Sequence, residues 1–333
     1  MKVAELYLWR IIAYKGQMEV VVKQISVIML TQNRLNMVRH MIDDILNQSF
    51  REFEYIIVDN GSTDGTSNLL KKYSEFDHRI KVVTLEQSYS IGRARNIGMN
   101  NSKGAFVAFV DDDDRVRYDF LGFLFSLITD NHADIAMCGA TEGDGKTKRP
   151  QCLFDEKMIL TGEGALRLLL GRKYIRAGMP TKLYRRDILE KYPFEEKYKN
   201  EDIHTQYKYL LEGKRIAIHG LDKYYFTRHD GNVSGFTSDA GRWDAQTMQD
   251  YLMAFHNRTE FVEQYAPNTY ELALYSEWSF MLSMIEKIDK FKLTDCVEIG
   301  KELIMILRKY KKQFINMPEI KDFEREWIER YID

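Results

Sequence analysis

Cysteine, proline, net charge and long apolar runs are all scarce in this chain. Three cysteines, Cys138, Cys152 and Cys296, are odd in number and share no metal spacing. They exclude a disulfide framework, suit a reducing compartment and read as packing residues. The formal net charge is −2, which gives no bulk attraction to nucleic acid. No stretch approaches the roughly 18 uninterrupted apolar residues that a membrane span needs. The best one, Phe120 to Thr129, is short and ends at Asp130. Glu5 and Arg10 interrupt the first apolar stretch, so a signal peptide is not expected. Val3, Leu6, Tyr7 and Ile11 fall at helical spacing. Residues 1–24 read either as a short amphipathic helix able to touch a membrane surface or as an upstream start ahead of Met18. Proline is missing from the first 149 residues, and all five prolines come later. There is no internal repeat and no low-complexity tract.

What remains is ordinary globular material. The 333 residues, 44% hydrophobic and 29% charged, are enough for two domains with cores of their own. From Ile25 to about Ala140, strand-like and helix-like segments alternate. Ile25–Leu30, Tyr55–Val58, Ile80–Leu85, Ala105–Val110 and Asp134–Cys138 read as strands. Leu35, Val38, Ile42, Ile45 and Leu46 share a helical face, and Asp64–Tyr73, Gly92–Asn101 and Tyr118–Thr129 read as further helices. Such alternation predicts an α/β fold with a doubly wound, mainly parallel sheet. Residues 141–151 read as an exposed loop or hairpin. Beyond about residue 240 the pattern is helical, giving a C-terminal helical extension. There Leu274, Trp278, Met281, Leu282 and Ile285 share one face. Cys296, Ile299, Leu303, Ile306 and Tyr310 form a stripe that suits packing on the same chain or a homo-oligomer seam.

Ligands of such sheets bind at the carboxyl ends of the strands. Polar clusters stand there three times: Thr31 to Arg34, Asp59 to Ser62, and Asp111 to Asp114. The last is the most pointed. Four consecutive carboxylates after a buried strand repel one another and cannot be buried unpaired. A divalent cation carrying a phosphate would gather them.

In order, these clusters resemble glycosyltransferase family 2, inverting enzymes with the A-type glycosyltransferase fold. Ile25-Ser-Val-Ile-Met-Leu-Thr-Gln-Asn33 resembles the family's opening strand and turn. Ile45-Leu-Asn-Gln-Ser-Phe50 is similar to Ile-Leu-Asn-Gln-Thr-Tyr, and Ile57-Val-Asp-Asn-Gly-Ser-Thr-Asp64 to Val-Asp-Asp-Gly-Ser-Thr-Asp. Ala94-Arg-Asn-Ile-Gly98 resembles the Ala-Arg-Asn-x-Gly helix. Lys103 to Asp114 resembles the stretch that ends in the Asp-x-Asp pattern. Thr181-Lys-Leu-Tyr-Arg185 and Asn200-Glu-Asp-Ile203 resemble elements of the acceptor half. Tyr225 to Ser234 resembles the loop that closes the catalytic domain. The resemblance covers roughly residues 25–236. It implies a division into an extension (1–24), a nucleotide-sugar-binding half (25–115), an acceptor-binding half (116–238) and the helical region (239–333).

The resemblance also implies roles. Asp113 would carry Mn²⁺ or Mg²⁺, with Asp111 near the ribose and the metal's waters, and Asp112 and Asp114 behind them. His229, or Arg228 beside it, would reach the diphosphate or the metal. Thr31, Asn33, Arg34, Asp59, Asn60 and Arg95 would hold the nucleotide, with Asp112 beside them. Asn60 stands where the family has an aspartate that accepts the N3–H of uracil, which leaves UDP- and dTDP-sugars both open. Asn33 has a plain alternative as a helix cap and Asp59 as a cap of the turn that follows it. Asp202 would be the general base that deprotonates an acceptor hydroxyl, with Glu201 orienting it. Capping alone also explains two carboxylates at a helix start.

The expected function is therefore transfer of a sugar from a nucleoside diphosphate sugar, UDP first, to a hydroxyl of a glycan or lipid-linked acceptor. Capsule, exopolysaccharide or wall-glycan synthesis would be its setting. The expected location is the cytoplasm or the inner face of the membrane. Two alternatives stand beside it. A nucleotidyltransferase would need a glycine-rich basic loop after the first strand, and Leu30 to Asn33 lacks one. A degenerate transferase serving as a scaffold would not need Asp111–Asp114 and Glu201-Asp202.

Overall fold

The computed structural model describes residues 24–229, 232 and 243–332. The segment 1–23 and parts of the loop from Tyr225 to Ser234 lie outside the described residues.

The chain begins with β1 (Ile25–Thr31), α1 (Val38–Leu46), β2 (Phe53–Asp59), α2 (Thr66–Phe76), β3 (Ile80–Thr84), α3 (Ile91–Asn100) and β4 (Phe106–Asp111). It continues through β5 (Arg115–Val116), α4 (Phe120–Asp130), β6 (Ile135–Gly143), β7 (Arg149–Gln151), β8 (Lys157–Leu160) and α5 (Gly162–Leu170). Then come β9 (Lys182–Arg185), α6 (Arg186–Lys191), α7 (Glu201–Glu212) and β10 (Ile216–Thr227). Helices α8 (Ala245–Tyr265), α9 (Tyr270–Phe291), α10 (Val297–Phe314) and α11 (Asp322–Tyr331) complete it.

One mixed sheet runs in the order β3-β2-β1-β4-β9-β6-β10-β5. β3, β2, β1 and β4 are parallel, with Ile25 opposite both Phe53 and Phe106. β9 then enters antiparallel to both β4 and β6, and β10 runs parallel to β6. The sheet is thus parallel in its first half, as the alternation predicts, and mixed beyond β4. The polar segment at 141–151 is a hairpin, in which β7 folds back on β6.

The pattern has a simple cause. Side chains alternate across a strand: Val27 and Met29 pack under α1, α2 and α4, while Ile28 faces the layer with α3, α5 and α7. Val38, Met41, Ile42 and Ile45 are buried at the spacing of one helical face. A third core joins the C-terminal helices around Trp278, Leu282, Leu307 and Phe314. The buried stripe of α10 is Ile299, Leu303, Leu307 and Phe314. Ile306 and Tyr310 are partly exposed instead, because a straight helix drifts away from a strict three-four stripe. α8 ties these helices to the sheet layer, where Phe261 packs edge-on against Tyr207 of α7. No helix among the described residues is long and apolar enough to cross a membrane.

Candidate active site

β4 pairs with β1 on the side away from β2 and β3, so the winding reverses between these two strands. At such a reversal the loops leaving the strands diverge and open a crevice at the carboxyl ends. Thr31 ends β1 and Asp111 ends β4. The crevice between them is a cleft of about 330 Å³. Thr31, Arg34, Asn60, Arg95, Asp111 to Asp114, Glu201 and Asp202 all line it.

The four aspartates are not equivalent. Asp111 is open to the cleft, with 45% of its side chain exposed, and lies 3.9 Å from Arg95 Nη2. Asp112 is buried, 3.8 Å from Arg34 Nε. Burial pushes its carboxyl up to about 7; the nearby Asp113 and Asp111 add to this, and the Thr31 hydroxyl and Arg34 oppose it. Asp113 Oδ2 lies 3.0 Å from His229 Nε2 and accepts from Asn232 Nδ2 at 3.1 Å. Asp114 is turned inward, accepting from the Tyr224 hydroxyl and the Thr227 N–H, both at 2.8 Å. The same Tyr224 oxygen accepts the N–H of Asp111. Asp114 therefore fastens the end of β4 to β10, and burial raises its carboxyl well above the ordinary range.

Asp113 and His229 form the donor set that suits a divalent cation. A carboxylate oxygen with an imidazole nitrogen fits Mn²⁺, and Mg²⁺ through the carboxylate. No cluster of three or more such ligands occurs among the described residues.

Arg95 is carried by α3, whose first turn is capped by the Ser90 hydroxyl accepting from Arg93 N–H. The helix lies unusually close to its neighbours. A Cβ on Gly92 would stand 2.1 Å from the Glu195 carbonyl, and one on Gly98 2.6 Å from Ile28 Cγ2. Asn96 locks the same contact, its amide donating to Phe194 O and its oxygen accepting Phe194 N–H, each at 2.9 Å. Arg95 is thereby buried between the rings of Phe109 and Phe194. Its Nε faces Glu201 Oε1 at 3.2 Å, and its Nη1 has no hydrogen-bond partner among the described residues.

Glu201 and Asp202 open α7, with Asn200 as N-cap making no side-chain cap bond. Glu201 is buried, and burial pushes its carboxyl up to about 7 against the pull of Arg95. Asp202 is only half-buried and borders the cleft; its Oδ1 accepts from Ile203 N–H at 2.8 Å. The two neighbours thus differ in access, and only Asp202 is free to meet a ligand.

Other sequence candidates are engaged by the fold. Asp59 is fully buried away from the cleft, accepting from Ser62 N–H at 3.1 Å and from the Ser67 hydroxyl. It therefore holds the turn after β2, the structural alternative that the sequence left open. Asn33 is exposed and has a left-handed backbone (φ 53°). Its side-chain oxygen accepts Thr63 N–H at 2.8 Å, joining the first two strand-end loops. It does not cap α1, whose N-cap is Met37. Asn60 borders the cleft, yet its amide donates to Tyr89 O and its oxygen accepts Tyr89 N–H, both at 2.9 Å. Arg228 is paired with Glu142 of β6.

Sequence reasoning gave no role to Asn96, Gly92 or Asn232. Asn96 and Asn232 lie inside family-like motifs, but all three act through contacts between segments far apart in the chain.

Known proteins resemble this chain in sequence and in fold. Among curated proteins the chain is 38% identical to glycosyltransferase GlyA of Streptococcus pneumoniae over 114 residues, 34% of this chain and 16% of GlyA. It is 29% identical over 213 residues to the poly(ribitol-phosphate) beta-N-acetylglucosaminyltransferase TarS of Staphylococcus aureus, 62% of this chain and 36% of TarS. The chain thus spans little more than a third, or less, of the length of these relatives. In three dimensions it resembles TarS residues 1–349 in complex with UDP-GlcNAc, with a TM-score of 0.61, 19% identity and coverage of 93% and 89% of the two chains. It also resembles the mannosyltransferase PcManGT of Pyrobaculum calidifontis in complex with GDP-Man and Mn²⁺, with a TM-score of 0.58, 16% identity and coverage of 93% and 85%. At these identities the likeness is one of fold. The family model described as glycosyl transferase family 2 matches residues 26–193, just over half of the sequence. The chain belongs to glycosyltransferase family 2.

Proposed function

We propose that this chain transfers a sugar, with inversion, from a nucleoside diphosphate sugar to an acceptor hydroxyl, in the synthesis of a cell-surface polysaccharide. A UDP-sugar is the favoured donor, since the structural relative TarS is found with UDP-GlcNAc. The acceptor is a glycan or lipid-linked glycan met at the cytoplasmic side of a membrane. The observation that carries the reading is one cleft bordered by Asp111, Arg95 and the half-buried Asp202.

Each residue has a defined task. Asp113 and His229 would hold a divalent cation, which would supply neutralisation of the departing diphosphate. Arg95, with one nitrogen unengaged, donates to a phosphate oxygen, for which a guanidinium is well shaped. Thr31, Arg34 and Asp112 border the nucleoside. Asp202 accepts the proton of the acceptor hydroxyl as it attacks the anomeric carbon from the face opposite the leaving group, a contribution of about 10²–10⁴-fold. Glu201, fixed by Arg95, sets the start of α7 and so the place of Asp202.

Nucleotide release from a panel of UDP-, dTDP- and GDP-sugars, with Mn²⁺ and with chelator, tests this. Release from one donor, abolished by chelator and by Asp202→Asn while nucleotide binding persists, is the expected result. A folded protein that binds and cleaves no donor would overturn the reading and favour a scaffold.

A further inference from the structure

Lys182 is an ammonium in the interior of the protein. It is 2% exposed, on β9 opposite Met137 of β6. No carboxylate among the described residues forms an ion pair with it; its Nζ donates to the carbonyls of Gly178 and, at 3.4 Å, of Pro180. A buried cation without a paired anion is costly to keep, so a structural task alone would be served better by an apolar side chain. Burial pushes this ammonium down to about 8, opposed by Cys152, Asp202 and Cys138. Asp202 is thus the carboxylate whose charge reaches it.

The two carbonyls belong to a tight turn. Thr181 has a left-handed backbone (φ 72°), unusual for a β-branched residue. Its carbonyl accepts Cys138 N–H at 3.0 Å, which fixes the far end of the turn to β6. The near end stands beside Asp202: a Cβ on Gly178 would lie 3.9 Å from Asp202 Oδ2. One side chain therefore shapes the turn that stands beside Asp202.

We infer that Lys182 is a positioning residue for Asp202: it holds the Gly178–Thr181 turn as a wall beside the Asp202 carboxylate and so keeps that side chain in place. Gly178 is small so that the acceptor oxygen can approach that carboxylate. The inference rests on the reading of Asp202 as the base.

The experiment measures UDP release from the active UDP-sugar in MnCl₂ with water as acceptor, alongside UDP affinity by calorimetry. Lys182→Met keeps the aliphatic stem and removes the charge. It is expected to lower kcat at least tenfold and leave the Kd for UDP within twofold. Lys182→Met combined with Asp202→Asn is expected to be no slower than Asp202→Asn alone, because residues acting as one unit are not additive. Independent, multiplicative losses, or a Lys182→Met enzyme at the wild-type rate beside an inactive Asp202→Asn, overturn the inference and leave the transferase reading intact. An Asp202→Asn enzyme at the wild-type rate overturns both. Should Lys182→Met fail to fold, Gly178→Ala takes its place, since its methyl meets only ordinary contacts. Slower release with unchanged UDP affinity supports the wall, and an unchanged rate refutes it.

Discussion

Arg95 and Glu201 face each other in the interior, Nε to Oε1 at 3.2 Å, and no other ion pair links α3 to α7 among the described residues. α3 borders the cleft through Arg95 and α7 through Asp202, so this pair spaces the two sides. Removing one member of a buried pair costs more than the pair contributes, roughly 3–5 kcal/mol, because the other charge is stranded. Arg95→Met should lower the unfolding free energy by about that much at pH 7.5, measured in urea. Glu201→Gln, which leaves Arg95 a carbonyl oxygen to bond, should cost distinctly less. Equal losses for the two variants would contradict a stranded carboxylate.

The same burial makes stability depend on pH. Asp112 is raised from 3.8 to about 7 and Glu201 from 4.5 to about 7, in both cases chiefly by desolvation. Between those values the folded protein keeps protons that the unfolded chain has released, so the stabilising contribution is whole below about 4 and is lost as the pH rises through about 7. In EDTA the melting temperature should fall across that window. Mn²⁺ with UDP should restore more of it at pH 8 than at pH 5, since a cation is bound by deprotonated carboxylates. A flat profile in EDTA would remove both residues from the account.

The sequence carried the first half of the fold because its strands are apolar runs separated by amphipathic helices, and each signal is local. β9 left no such signal. Its residues Lys182 to Arg185 include two cations, and it is a strand only because β4 and β6 offer edges on either side. The site was legible in the same way. Asp111 to Asp114 stood out as a charge run at a strand end, yet the division of labour among them depends on Tyr224, Thr227, His229 and Asn232, far along the chain. Asp59 shows the other side: a carboxylate at a strand end reads as a ligand or as a cap, and the fold turns its oxygens to Ser62 and Ser67.

Asn60 offers a test of what reads the base. Its carboxamide pairs with both the N–H and the C=O of Tyr89, which only an amide can do. Asn60→Asp places a carboxylate against the Tyr89 carbonyl and leaves that carbonyl without its donor, a penalty of about 1–3 kcal/mol. If the residue serves the loop, UDP and CDP should weaken by the same factor in calorimetry. If it reads the N3–H of uracil, UDP should be held or tightened while CDP, whose cytosine lacks that hydrogen, falls away.

Asp113 and Asp114 are adjacent in sequence and opposite in task, and two substitutions separate them. Asp114 satisfies a buried hydroxyl and a half-buried N–H. Asp114→Ala strands both groups, which should lower stability by about 1–3 kcal/mol for each, with or without metal. Asp113 faces His229 and Asn232 at the edge of the cleft and makes no bond that ties strand to strand. Asp113→Asn should therefore leave unfolding in EDTA unchanged and reduce Mn²⁺-dependent UDP binding at least tenfold, since an amide oxygen lacks the charge that holds a hard cation. Reversal of the pattern, with Asp113→Asn unstable and Asp114→Ala deficient in metal, would exchange the two roles. Only the carboxylate at the cleft edge, Asp113, can change partners when a ligand arrives. The inward one is already committed to the strand that supports the site.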